Sequence, residues 1–308
     1  MRKVAVVTTG FFDGVHLGHR HVLETVVSSA RERGEEAVVV TFWPHPRAVL
    51  QQDARDFRLL SSLEEKKELL TACGIDRIEV IPFTRDFAAM TASEYLRLLH
   101  DRYGASLVVM GYDNRIGSDG KTAMEIGTQG VPNPTSLRAV GPLPFTWPRA
   151  ATGSEDPCVP ISSTQIRKAL TEGNVERAAA MLGYRYGLYG VVVAGNRLGR
   201  TIGFPTANMQ LDEPLKLVPA DGVYAVDVEV QGKTCRGMCN IGLRPTVEGK
   251  ARTIETHILD FDEDIYGLPL RLSFVRRIRD ERKFPSLDAL REQLLLDALN
   301  CKKVFISL

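Results

Sequence analysis

The stretch TTGFFDGVHLGHRHVLE, Thr8 to Glu24, follows the apolar run VAVV and sets His16 and His19 apart by only Leu17 and Gly18. A loop that merely turns has a use for glycine but none for paired imidazoles. Between a strand and a helix N-terminus, a glycine-rich loop offers backbone N–H groups and the positive dipole end to a phosphate. Two imidazoles on that first turn can donate to an anion that gains charge as a phosphoryl bond shifts. Gly10, Phe12, Asp13 and Gly18 are the loop residues expected around the phosphates, Gly18 because it lets the backbone come close. A second stretch, ISSTQIR, offers hydroxyls at Ser162, Ser163 and Thr164, any of which can cap a helix beginning at Gln165. Arg167 would then sit in a first turn, where a cation opposes the dipole, and a bound phosphate explains that placement better than helix stability does.

The far half of the chain carries a different constellation. In GNRLGRTIGFPTAN, Gly195, Gly199 and Gly203 let a loop fold closely around phosphates. Thr206 and Asn208 follow with a hydroxyl and an amide oxygen, hard neutral ligands suited to Mg²⁺ bridging nucleotide phosphates. In RTIETHILDF the strand period puts Glu255, His257 and Leu259 on one face. A carboxylate partly desolvated beside Leu259 is suited to act as a base. The acidic run DFDEDIYG fails as a calcium loop: an EF-hand needs Gly at Ile265 and Glu at Arg271. It reads as a solvated turn.

The elements that must position these groups follow from pattern. KVAVV, EEAVVVTFW, IDRIEVIPF and ASLVVMG are apolar strands alternating with helices such as HRHVLETVVSSARERG, SLEEKKELLTACG and SEYLRLLHDRYG. That alternation predicts a doubly wound parallel sheet of Rossmann type, whose ligands sit beyond the carboxyl ends of the strands, where GFFDGVHLGH falls. From Gly130 to Pro160 the chain is rich in Pro, Gly and Ser and predicts a long loop without regular structure. After Gly183 short strands separated by Gly-rich turns predict an antiparallel barrel, closed by the helix SLDALREQLLLDALN. The division is therefore residues 1–183 and 184–308.

FDGVHLGH with ISSTQIR resembles the nucleotidyltransferase superfamily, and within it the FMN adenylyltransferase module of bacterial bifunctional riboflavin kinase/FAD synthetases. The resemblance implies that His16 and His19 steady the triphosphate of ATP and that Arg167 contacts it during attack by the FMN phosphate. TFWPHP matches that family's strand-end turn, with Trp43 where an acidic residue is usual. GYDNRIG keeps Asp113 and Gly117 of a flavin-side motif, but Asn114 and Ile116 stand in place of two aromatics. PTAN, with GVYAV, NIGLRPTV, ETHILDFDEDIYG and RDERKFPSLDAL, is similar to riboflavin kinase across residues 184–299. That likeness implies Glu255 as the base taking the proton of the ribityl 5′-hydroxyl, and a flavin beside Phe284. The implied substrates are riboflavin, FMN and ATP, with Mg²⁺ in both steps.

Bulk numbers agree with such an enzyme. The 308 residues are 44% apolar and 25% charged, with a net charge of +1, an ordinary globular composition with no electrostatic footprint for nucleic acid or an anionic membrane. Aromatics at 7% are few for stacking on single strands. MRKVAVVTTGFF reads as a first strand and not as a signal peptide. Cys73, Cys158, Cys235, Cys239 and Cys301 are odd in number and scattered, which points to reduced thiols and a cytoplasmic protein. Two rival readings are a riboflavin kinase whose adenylyltransferase half is impaired, favoured by Trp43, Asn114 and Ile116, and a flavin-binding regulatory protein without turnover.

Overall fold

The computed structural model describes residues 3–50, 57–129, 135–143, 161–195, 198–246 and 249–306. The chain packs as two units, and the change from the first to the second falls between Ser163 and Thr164. In the first, strands β1 (Ala5–Thr9), β2 (Glu36–Trp43), β3 (Arg77–Pro82), β4 (Ala105–Gly111) and β5 (Ser136–Val140) form one sheet in the order β3-β2-β1-β4-β5. Every pairing in it is parallel. Strands buried on both sides explain the unbroken apolar runs. Ala5 and Val7 of β1 face a core with Tyr95, Leu96 and Leu99 of α5 (Ala92–Tyr103), while Val6 faces one with Leu23 and Val26 of α1 (Leu17–Arg33). Short helices α2 (Pro46–Leu50), α4 (Arg85–Ala88) and α6 (Ala123–Gln129) fill the connections, and α3 (Leu63–Ala72) leads into β3. Both α3 and α5 start on a capping box, Ser62 with Glu65 and Thr91 with Glu94.

The strand β5 corrects the expectation of an unstructured Gly130–Pro160. SLRAV pairs with β4 at the sheet edge, and only Val140 of its residues is buried, so it lacks the apolar run that betrays a central strand. The other residues of that segment, apart from 135–143, lie outside those described.

Helices α7 (Ser163–Thr171) and α8 (Val175–Leu182) precede the change of strand grammar at Gly183, yet pack with the barrel. Ala220 donates to the Leu170 carbonyl of α7 at 2.9 Å, and Arg276 pairs with Glu176 of α8 at 2.9 Å. Gly173 between them is tight, for a Cβ there would lie 2.8 Å from the guanidinium carbon of Arg277. Strands β6 (Gly187–Val193), β7 (Ala207–Leu211), β8 (Gly222–Val230), β9 (Lys233–Thr246), β10 (Gly249–Ile258) and β11 (Pro269–Arg279) close into an antiparallel barrel in the order β10-β7-β6-β11-β8-β9. The glycine-rich stretch expected to fold around phosphates contains a one-turn helix, α9 (Leu198–Thr201), and at its end enters β7, which carries Asn208.

Helix α10 (Leu287–Ile306) covers one side of the barrel, with Cys301, Val304 and Phe305 against Val223, Ala225 and Met238. Its anchor is polar: fully buried Asp297 accepts from Arg279 of β11 at 2.7 Å and 3.0 Å, and from Gln293 at 2.7 Å. Removing one partner of a buried pair strands the other charge, at a cost of about 3–5 kcal/mol. Asp297→Ala is accordingly expected to lower the urea midpoint of the barrel steeply. An unchanged midpoint would show that the pair contributes nothing.

Candidate active sites

The loop from β1 to α1 is strained and heavily tied. Phe12 and Val15 have φ of 54° and 37°, values that non-glycine residues rarely adopt, and Gly14 lies at 76°. Asp13 holds the loop from inside, accepting from the backbone N–H groups of Leu60 and Ser61 at 3.0 Å and 3.1 Å. Its carboxylate, expected near phosphate, thus serves as a strut, since a carboxylate facing phosphate would repel it. The N–H of Gly10 goes to the Val40 carbonyl at 3.1 Å, that of Gly14 to the Ser61 hydroxyl at 3.1 Å, and that of Val15 to the Phe12 carbonyl at 3.1 Å. Those three amides are engaged within the protein. The Phe12 ring is buried and meets His19 edge-on at 5.2 Å, so it supports the imidazole.

His16 is the N-cap of α1, its Nδ1 accepting from the His19 N–H at 3.3 Å. With Nδ1 as acceptor, a neutral His16 ring carries its proton on Nε2 and can donate there. The two rings stack at 3.6 Å, and Gly18 permits this, for a Cβ there would press on the His16 ring at 3.3 Å. His19 is the chemically conspicuous member. Its Nδ1 is buried with no hydrogen-bond partner, and an orphaned polar atom is costly unless a ligand satisfies it. Burial, then the charges of His16 and Lys66, hold its pKa well below the ordinary imidazole value, so it is neutral at pH 7. His19 can therefore meet an anion by hydrogen bonding at a helix N-terminus without first being charged.

Ser163 donates from its hydroxyl to the Asp13 carbonyl at 3.1 Å, which joins the start of ISSTQIR to this loop. Helix α7 begins at Ser163, two residues ahead of Gln165, so Arg167 is its fifth residue and lies beyond the first turn. Ser162 is half-buried, Thr164 is exposed, and from Thr164 onward the chain belongs to the second unit. Asp113 is exposed beyond β4. The two departures in GYDNRIG have structural roles: the Asn114 amide donates to the Thr9 carbonyl at 3.1 Å, beside the loop, and Ile116 is a core residue. Trp43 stacks toward Phe11 at 6.4 Å. The sequence reading passed over Lys66, which is buried beneath this loop; EEKK on a helix looks like a solvated charge run.

In the barrel, register brings the key groups together. Glu255 of β10 stands opposite Asn208 of β7 on one side and Asn240 of β9 on the other, giving a polar row across three strands. Glu255 is buried and accepts from the Thr253 hydroxyl at 3.1 Å. Asn240, not singled out beforehand, becomes visible only through this long-range pairing. Asn208 is held by the close approach of Gly195, where a Cβ would lie 2.2 Å from the amide nitrogen. Gly199 fits against the Phe204 carbonyl in the same way, at 2.2 Å, and Gly203 takes φ 83° in the turn before it. His257 sets the adjoining segment: its Nδ1 lies 2.8 Å from the Pro205 carbonyl and its ring meets Phe204 edge-on at 5.1 Å. A cavity of about 280 Å³ is lined by Arg200, Thr206, Thr256, Phe261 and the acidic run Asp262–Asp264. Asp262, Glu263 and Asp264 are exposed, as a solvated turn requires, and also border this cavity.

The donors suit Mg²⁺: a hydroxyl and an amide oxygen are hard ligands, and Asn208 is fixed in place. Among the described residues no three His, Cys, Asp or Glu side chains gather as a metal centre. A cation here would thus draw on few protein oxygens and on substrate phosphates. Phe284 is half-buried beneath two guanidinium groups, Arg282 at 5.0 Å and Arg279 at 5.6 Å. The neighbouring Glu281 carboxylate lies where a Cβ on Gly242 of β9 would stand.

Comparison with known proteins identifies the family. Residues 1–131 match the FAD synthetase family model and residues 182–305 the riboflavin kinase model. The chain is 36% identical to the bifunctional riboflavin kinase/FMN adenylyltransferase of Bacillus subtilis, over 99% of this chain and 93% of that protein. It is 37% identical to that of Escherichia coli K12, over 97% and 92%. A solved structure described as a macrolide-efflux protein from Streptococcus pneumoniae shares the fold at a TM-score of 0.88 and 35% identity, covering 98% of this chain and 95% of that one. No helix among the described residues is long and apolar enough to cross a membrane. Two family models that each match one end of the chain, together with near-full-length identity above 35%, lead to one conclusion: the chain belongs to the bifunctional riboflavin kinase/FMN adenylyltransferase family.

Proposed function

We propose that the chain makes flavin cofactors in two ATP-dependent steps. Residues 184–308 transfer the γ-phosphoryl group of ATP to riboflavin, giving FMN and ADP. Residues 1–183 transfer AMP from a second ATP to FMN, giving FAD and pyrophosphate. The observation that supports this reading is that each unit carries its own polar constellation: the stacked His16–His19 pair with its orphaned nitrogen, and Glu255 opposite Asn208 beside the glycine-rich segment.

In the kinase step Glu255 takes the proton of the ribityl 5′-hydroxyl as that oxygen bonds to the γ-phosphorus and the bridging β–γ oxygen departs with ADP. Gly195, Gly199 and Gly203 bring backbone close to the nucleotide, and Phe284 borders the flavin. Thr206 and Asn208 would hold Mg²⁺, which supplies charge neutralisation on the phosphates when bound. In the adenylyl step the FMN phosphate attacks the α-phosphorus of ATP. His16 and His19 donate to the triphosphate, Gly18 gives it room and the Ser162 hydroxyl adds a donor, while the Ser163 hydroxyl, already donating to the Asp13 carbonyl, ties ISSTQIR to the loop. Asp113 is assigned to the flavin side. Both steps rest on positioning and charge stabilisation. The protein is assigned to the cytoplasm, with riboflavin, FMN and ATP as its partners and no nucleic acid.

A second reading, a kinase with an impaired adenylyltransferase, has Asn114 and Ile116 in its favour, because one is bonded to Thr9 and the other is in the core. Each substrate supplied alone separates the two. Riboflavin with ATP and Mg²⁺ is expected to give FMN, and FMN with ATP and Mg²⁺ to give FAD and pyrophosphate. Failure of the second reaction alone would install the impaired reading, and failure of both would leave a binding protein. Gly195→Ala is expected to push the Asn208 amide aside and cut FMN formation about tenfold, most at low Mg²⁺, because misplacement of about 1 Å costs as much or more. FAD formation from FMN should not change; equal loss of both would contradict the assignment of Asn208.

A further inference from the structure

The capping box at Ser62 fixes the start of α3 and brings Lys66, one turn on, beneath the Gly10–His16 loop. Lys66 is completely buried. Its ammonium donates to the Phe11 carbonyl at 3.0 Å and to the Thr41 hydroxyl at 3.2 Å, and lies 3.7 Å from the centre of the Phe11 ring and 5.6 Å from that of Trp43. Among the described residues no carboxylate pairs with it directly. Asp13 is the acidic group that acts on it, and the Asp13 oxygens already accept from Leu60 and Ser61. From α1 the facing titratable group is His19, whose pKa the Lys66 charge helps to lower; from β2 come the Thr41 hydroxyl and the Trp43 ring; His45 sits on Phe11. Burial pushes Lys66 down to about 8, so at pH 7 it still carries its proton.

A buried cation without a directly paired carboxylate is an expensive way to fill space, and an apolar side chain of similar volume does so at less cost. Phe11 would not lose its only partner either, because the Thr41 hydroxyl also donates to that carbonyl at 3.2 Å. A missing negative charge that arrives with the ligand accounts for the arrangement. On the basis of the proposed adenylyl transfer, we infer that Lys66 is a positioning residue of that step: it fixes the Phe11 carbonyl and hence the phosphate loop, and sets a positive charge under the seat of the triphosphate without touching it. A positive charge in a partly desolvated site is worth about tenfold or more in anion binding.

The test compares wild type, Lys66→Met and Lys66→Arg in the full chain. Four quantities are read: FAD formation from FMN, KM for ATP in that reaction, pyrophosphate affinity by calorimetry, and melting temperature. For Lys66→Met the expected result is a KM for ATP raised about tenfold and pyrophosphate affinity weakened to match. Its melting temperature should be equal to or above wild type, with riboflavin phosphorylation unchanged, and Lys66→Arg should recover part of the loss. A lower melting temperature accompanying the loss, without recovery in Lys66→Arg, would make Lys66 a plain structural support and overturn the inference. Unchanged FAD formation and pyrophosphate affinity would overturn it as well. Should wild type make no FAD, the adenylyl reading falls, and the pyrophosphate comparison alone then decides the role of Lys66.

Discussion

Glu255→Gln is expected to abolish FMN formation while FAD formation from supplied FMN continues. Glutamine keeps the shape of the side chain and can still accept from the Thr253 hydroxyl, but it cannot take a proton. Removal of a positioned general base typically costs about 10²- to 10⁴-fold in rate. The Asn208–Glu255–Asn240 row should survive the change, so riboflavin affinity and melting temperature are expected to stay close to wild type. That pattern distinguishes a lost base from a collapsed site. Equal loss of both activities would contradict the two-site account, and an undiminished kinase would remove Glu255 from its role.

His19→Ala should do the opposite. The adenylyl step loses a neutral donor that is already stacked on His16 and buried against Phe12, and the expected fall is about 10²- to 10³-fold in FAD formation. Riboflavin phosphorylation should be untouched. His19→Asn, which restores an N–H of shorter reach, is expected to recover part of the rate. If His19→Ala stops the kinase, the assignment of chemistries to the two units is wrong. Preservation of full FAD formation would mean that the orphaned nitrogen serves no ligand.

Much of the fold was legible in the sequence because its signals are local. Central strands of a parallel sheet are buried on both faces, so KVAVV and ASLVVMG announce themselves. Helix α1 is bounded by His16 and a left-handed Gly34, and α5 by Thr91 and Gly104, all readable in place. What escaped depends on partners far along the chain. SLRAV is an edge strand with a mixed pattern, and nothing local marks it. Strand β7 hides behind Pro205 and the glycines, though Asn208 owes its position opposite Glu255 to that strand.

The sites divide along the same line. His16, His19 and Glu255 stand out by residue type and spacing. The strut at Asp13 needs Leu60 and Ser61, and the cation at Lys66 needs Phe11 and Thr41; neither can be seen before the chain closes. Arg167 shows how a small boundary error moves a role. With α7 starting at Ser163, the arginine leaves the first turn, and the dipole argument for its placement weakens.

The central claim, two successive transfers of different parts of ATP to one flavin, is tested most directly by tracing the phosphates. The protein would be given riboflavin, Mg²⁺ and ATP labelled either at the γ- or at the α-phosphate, and the flavins separated by chromatography. The account predicts γ-label first in FMN and then in FAD, with α-label in FAD and never in FMN. Label absent from both flavins, or α-label appearing in FMN, would contradict it.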